Sequence, residues 1–298
     1  MQPVAAWLVS RPHNAILGLA ASYLLFLPLA GAISGALVVL LVLHQGARKA
    51  LLLCLIAAAL LAVLALATGG SAPQTAATVV VNWLPAYVLA ALLGNWRSLT
   101  LTLQVSVIVA AVGLMGFFVV LGDPAVFWSQ WIAEQAVPLF QDMGFAEQAA
   151  TLLDNREAVA EQLSVLFVFA IWSLYALGLL LGYALYEALP GQKGIFGRFC
   201  DLNFGRVLAL TMAVASVAAV WVEVDWLRNL AFLVFVIFWI QGLAMIHWLH
   251  AEKRLPLFFV LVVYALVPLL SALPVISLAV VGYIDAWFDF RTRNAGKV

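Results

Sequence analysis

The apolar runs of this chain are too long and too free of charge to face water. Leu99 to Leu121 holds no Asp, Glu, Lys or Arg, and similar runs recur along the sequence. Lipid offers no hydrogen bond to a bare peptide group, so only helices and closed barrels can cross it. Barrel strands alternate apolar and polar residues, and these runs do not. The expected fold is therefore all-α, a polytopic helical membrane protein. Composition agrees, with 66% hydrophobic and 9% charged residues, where a soluble domain has about a quarter charged.

Hydropathy predicts about ten helical segments: Ala15 to Leu29, Ile33 to Leu43, Ala50 to Leu66, Val79 to Gly94, Leu99 to Leu121, Leu163 to Tyr186, Val207 to Val222, Leu230 to Leu249, Leu257 to Leu270 and Val275 to Phe288. A full span takes roughly 20 apolar residues, which leaves eight full spans or fewer plus short hairpin helices. Ile33 to Leu43 is too short to cross alone. Either it returns from a hairpin turn permitted by Pro28, Gly31 and Gly35, or Ala15 to Leu43 is one kinked helix. Pro268 and Pro274 pose the same question for the last apolar block.

Charge orients the chain. With the hairpin arrangement, twelve of the 14 Lys and Arg residues fall on one side, and only Arg156 and Arg228 on the other. The positive-inside rule makes the first side cytoplasmic and both termini cytoplasmic. Arg11, an apolar run and the small residues Ala30 and Ala32 imitate a secretory signal. Cleavage there would strand Ile33 to Leu43, so the run is read as part of the protein. Cys54, within a span, and Cys200, in a cytoplasmic loop, are separated by topology and form no disulfide framework.

The whole chain, 1–298, reads as one integral membrane domain with an extracytoplasmic amphipathic insert at 122–162. That insert is acidic, with Arg156 its one basic residue. Asp123 followed by Pro124 marks a helix start, after which Phe127, Trp128, Trp131 and Ile132 recur at helical spacing. Asp154 with Glu157 resembles a capping box opening a second helix that runs into the span at Leu163.

Chemistry inside the spans is sparse. Glu187, Glu223, Asp225, Asp285 and Asp289 all fall at predicted helix ends, within reach of solvent, which argues against a buried proton relay. His247 and His250 lie one turn apart without a third ligand, so no metal site is expected. No Walker A, HExxH or GxSxG pattern occurs, and Ser34-Gly35 lacks the preceding glycine of a membrane-protease serine motif, Ala32 standing in its place. The chain is thus read as no enzyme, with no catalytic residue and no cofactor. Uncharged polar groups at membrane depth are the ligand-binding candidates: Asn82, Trp83 and Pro85 at the outer start of the fourth segment, with Gln104 and Gln241 inside spans. Amides also bond from helix to helix, and small residues at four-residue spacing, such as Gly31 with Gly35 and Gly178 with Gly182, favour close packing.

Two cytoplasmic segments are more specific, Asn203-Phe204-Gly205-Arg206 and the stretch from Gly282 to Arg291. In the latter, Asp285, Asp289 and Arg293 are spaced four apart, so Asp289 and Arg293 could pair. The pattern of Gly282, Asp285, Asp289 and Arg291, with Asn203 to Arg206 and the hydropathy profile, resembles the YybS-like bacterial membrane proteins, a domain of unknown function. The stretch from Pro28 to Gly46, where a short returning helix precedes Gly46 and Arg48, is similar to the S-components of energy-coupling-factor vitamin transporters. These resemblances imply a bacterial inner membrane, and the family supplies no activity or cofactor.

The leading expectation is a solute-binding or transport protein for a small neutral or apolar compound. Its partners would be the lipid bilayer and a separate membrane or ATPase subunit, with no nucleic acid. The alternative is a non-transporting scaffold or accessory protein for envelope processes. An intramembrane enzyme would require Asp201, Asp285, Asp289 and Arg206 to converge.

Overall fold

The structure, a computed structural model, describes every residue except 26–29, 223, 271 and 292–298. Among the described residues the regular structure is helical, without strands. In chain order the helices are α1 (Gln2–Ser10), α2 (Pro12–Leu25), α3 (Ala30–Gln45), α4 (Ala47–Ala67), α5 (Ala72–Trp96), α6 (Leu99–Leu121), α7 (Pro124–Trp131), α8 (Val137–Asp142), α9 (Ala146–Asp154), α10 (Arg156–Glu187), α11 (Gly205–Val222), α12 (Asp225–Ile237), α13 (Trp239–Ala251), α14 (Leu257–Leu270) and α15 (Ala272–Phe288). A π turn, Ile132–Ala136, joins α7 to α8, and a 3-10 turn, Phe199–Asp201, precedes α11.

Among the described residues six stretches are long and apolar enough to cross a membrane: α4, α5, α6, α10, α11 and the run Asp225–Ala251. Leu51, Leu52, Leu55 and Ile56 of α4 point outward, as do Val109 and Val112 of α6. Such surfaces are solvated by lipid rather than water. The chain is a helical membrane protein.

By its contacts the chain divides into two compact units, Met1–Ser106 with Ser173–Phe199, and Val107–Trp172 with Cys200–Val298. The first unit is centred on α3, whose Ala36, Val38, Val39, Leu40 and Leu41 are buried. Helix α3 packs against α2, α4 and α5. The side-by-side packing of α2 and α3 suits two arms of a hairpin; Pro28, the expected turn residue, lies outside the described residues. Gly31 and Gly35 do not make the turn. They sit inside α3, where a Cβ on Gly31 would lie 3.3 Å from Asn82 Oδ1 and one on Gly35 3.2 Å from the Ala86 Cβ. Gly178 and Gly182 likewise let α10 approach α3, since a Cβ on Gly182 would lie 2.5 Å from the Ala36 carbonyl. The four-residue spacing of small residues is therefore intramolecular packing at these positions.

In the second unit the Asp123 side chain caps α7 by accepting from the Ala125 N–H at 2.9 Å. Trp128 donates from Nε1 to Ser164 Oγ at 2.8 Å and packs with Ile132, Val137, Ala149 and Ala160. The segment 122–162 is thus a small folded layer of α7 to α9 and the start of α10, with Phe127 and Trp131 half exposed. Asp154 does not open α10, contrary to its capping-box pattern. It is the last residue of α9, and Asn155 makes the break: its backbone N–H and its Nδ2 both donate to the Thr151 carbonyl, while its own carbonyl accepts from Val159.

Three more differences from the hydropathy reading stand out. A short helix, α1, occupies Gln2–Ser10, too short for a hydropathy window to register. Helix α5 begins at Ala72, seven residues before Val79. The apolar run expected as Leu230 to Leu249 breaks at Phe238 into α12 and α13, where the Phe238 N–H reaches back to the Phe235 carbonyl in a tighter turn.

Candidate functional site

The second unit contains one backbone crossing close enough to organise a polar site. Helices α13 and α15 pack together at Gly242 and Gly282. A Cβ on Gly242 would collide with the Leu278 carbonyl, and one on Gly282 with the Phe238 carbonyl and, at 2.6 Å, the Gly242 nitrogen. Only hydrogen fits at both positions. Gln241 precedes one glycine, and Asp285 lies one helical turn after the other, so the crossing brings their side chains within reach.

Gln241 Nε2 donates to Asp285 Oδ2 at 2.8 Å and to Asn203 Oδ1 at 3.3 Å, while its Oε1 accepts from the Phe204 backbone N–H at 2.7 Å. Asn203 Oδ1 also accepts from the Gly205 N–H at 2.8 Å, which shapes the entry into α11. At the far end of α15, Asp289 takes a left-handed conformation with φ 45°. Its N–H closes the last turn onto the Asp285 carbonyl at 2.8 Å, and the chain then reverses. Arg291 is thereby returned over the helix end, where Nη2 pairs with Asp285 Oδ2 and Nη1 donates to the Cys200 carbonyl at 2.7 Å.

The centre of this network is buried. Gln241 and Asp285 are 0% exposed and Arg291 8%. Asp285 and Arg291 are the buried charged side chains among the described residues, and they pair with each other. Within it, Asp285 Oδ1 and Arg291 Nε have no hydrogen-bond partner among the described residues. Asp285 is therefore not the solvent-reached helix-end anchor expected from its position. The reason is non-local: its cover is Arg291, delivered by a reversal that hydropathy does not register. Asp289 stays half exposed, Asp201 and Arg206 are exposed, and Arg293, the expected partner of Asp289, lies outside the described residues. Asp and Asn tolerate the left-handed region better than branched residues do. Asp289→Gly should therefore be more stable than Asp289→Val, by about 1–2 kcal/mol in thermal unfolding of the purified protein. Equal stability of the two variants would mean that this reversal does not shape the site.

The ligand-binding candidates separate. Gln241 belongs to the network just described. Asn82, Trp83 and Pro85 lie in the interior of α5, not at its start, because that helix begins at Ala72. Asn82 is half buried and donates to the Thr78 carbonyl at 2.9 Å; Trp83, 3% exposed, donates to the buried Ser34 Oγ at 2.9 Å. Ser34 is thus a packing serine of α3. Pro85 cannot donate to the carbonyl one turn back, and Gln104 is half buried on α6. His247 bonds to the Tyr264 hydroxyl at 2.9 Å and His250 to the Leu255 carbonyl at 3.0 Å. Among the described residues no three His, Cys, Asp or Glu side chains converge as a metal site requires.

The sequence does not disclose the bond from Gln241 to Asp285 or the part played by the Cys200 carbonyl. The available signal was the pairing of a polar residue with a nearby glycine in each of two apolar helices, Gln241 with Gly242 and Gly282 with Asp285. No protein-family model, curated protein or solved structure matches the chain.

Proposed function

We propose that this chain is a multi-pass protein of a bacterial inner membrane, with both termini cytoplasmic, that binds or moves a small neutral or apolar compound. The observation behind this reading is the state of its buried charges. Asp285 and Arg291 cancel one another, leaving no buried net charge among the described residues to hold an ion. Both are already engaged within the protein, Asp285 Oδ2 by Arg291 and Gln241 and Arg291 Nη1 by the Cys200 carbonyl. Uncharged polar groups on α5 and α6, Asn82 and Gln104 among them, are what remains for a ligand, and both are half buried. The chain is read as having no enzymatic activity, and energy for any movement would come from a separate subunit. The resemblance of Asn203 to Arg206 and Gly282 to Arg291 to the YybS-like proteins, and of Pro28 to Gly46 to vitamin-transporter S-components, is in keeping with this.

A second reading, a non-transporting accessory protein, is favoured by one observation. Trp83 Nε1 and Asn82 Nδ2 both donate within the helix packing, to Ser34 Oγ and to the Thr78 carbonyl. Gentle purification from native membrane followed by mass spectrometry separates the two. A stoichiometric small molecule supports the carrier; a protein subunit without one supports the accessory role.

The orientation is tested independently. Single cysteines at Ser71 or Gln148, both exposed, should react with an impermeant thiol reagent added outside intact cells, and one at Lys193 only after lysis. The reverse pattern would invert the topology.

A further inference from the structure

Helices α11 and α12 follow one another in the chain and pack together, yet an open cleft of about 540 Å³ runs between them. Met212, Ser216 and Val220 line it from α11, and Arg228, Phe232 and Phe235 from α12. Each set sits at steps of three or four residues, so each is one helical face. From Met212 to Val220 the wall extends about 12 Å at 1.5 Å per residue, close to the roughly 15 Å of one hydrocarbon leaflet.

The two ends of this cleft differ in chemistry. Met212 and Phe235 lie at one end, and the lining is apolar apart from the Ser216 hydroxyl, which bonds to Met212 Sδ at 3.5 Å. At the other end stands Arg228, preceded in sequence by Trp221, 83% exposed, and Trp226, 40% exposed. Exposed tryptophans at the end of an apolar helix pair mark headgroup level. Arg228 is also one of the two basic residues that the charge bias leaves outside. Its carboxylate contact, Asp225 at 3.0 Å, is between two largely exposed side chains. Such a pair is weak enough to be exchanged for a phosphate, which a guanidinium grips with two parallel bonds.

We propose that this cleft binds a phospholipid with an anionic headgroup, the acyl chain lying between Met212, Ser216, Phe232 and Phe235 and the phosphate on Arg228. A water-soluble compound would gain little from a trough open along its side. A lipid fits that opening, because the rest of the molecule stays in the leaflet it came from.

The test is native mass spectrometry of the full chain in detergent, offered equal amounts of phosphatidylglycerol and phosphatidylcholine with matched acyl chains. Phosphatidylglycerol should be retained in about fivefold preference, the effect of one cation at an anionic surface. Arg228→Gln should bring the ratio close to one while total lipid stays the same. Ser216→Trp, which fills the trough, should lower retention of both lipids, its folding checked by melting temperature. The proposal is overturned if the unchanged protein shows no preference, if Arg228→Gln leaves the preference intact, or if the protein is a lipid-free dimer with the cleft taken up by a second copy.

Discussion

Arg291→Met should cost the protein about 3–5 kcal/mol, the loss that follows when one partner of a buried ion pair is removed. It leaves the Asp285 carboxylate 0% exposed, with one oxygen already lacking a partner and the other held by Gln241 alone. Asp285→Leu should be comparably severe, because the guanidinium then keeps only the Cys200 carbonyl. The two changes together should be milder than either one. No buried charge remains, and Gln241 still has Asn203 and the Phe204 N–H as partners. This non-additivity is the diagnostic sign, since neighbours in one network do not sum. Thermal unfolding of the four proteins in one detergent measures it. Single variants as stable as the parent would mean that the pair faces solvent, and strict additivity that the two groups do not interact.

The fold class was legible because it rests on a local property, the length of uncharged apolar runs. Helix α6 is a case in point: the uncharged apolar run Leu99 to Leu121 coincides with the helix at both ends. Features set by distant contacts were not legible. Phe238 is neither proline nor glycine, and nothing adjacent to it announces the break between α12 and α13. Its carbonyl is where Gly282 of α15 presses closest, which is a fact about a residue far along the chain. Asp154 and Glu157 have the letters of a capping box, but Asp154 ends α9 and the Asn155 side chain donates back to the Thr151 carbonyl of that helix. The candidate site fared similarly. Asp285, Asn203 and Arg291 were marked as unusual, but a charge at the end of an apolar run looks like an anchor in sequence. Its burial depends on a left-handed Asp289 and on Arg291 folding back, neither of which has a periodic signature.

Gly282→Ala and Gly242→Ala should each destabilise the protein by at least the 1–3 kcal/mol typical of overpacking. At most crowded positions a neighbouring side chain can rotate aside. Here the obstacles are backbone, the Phe238 and Leu278 carbonyls, so the helices themselves must part. Parting also stretches the bond from Gln241 to Asp285, which the crossing sets at 2.8 Å, so the packing and polar losses arrive together. Gly113→Ala is the matched control. It lies inside α6, exposed, with nothing within 4 Å of the added carbon. Replacing a glycine in a helix interior then gains about 0.5–1 kcal/mol through lost backbone freedom in the unfolded chain. The two substitutions at the crossing should not add, because both methyl groups enter the same gap: the Gly282 carbon would sit 2.6 Å from the Gly242 nitrogen. Once the first has opened the gap, the second meets less resistance. Melting temperatures that fall for either glycine alone, fall little further for the pair and hold or rise for Gly113→Ala would locate the constraint at this contact. Gly282→Ala proving as stable as Gly113→Ala would mean that α13 and α15 do not touch there, and the polar network would lose the crossing that assembles it.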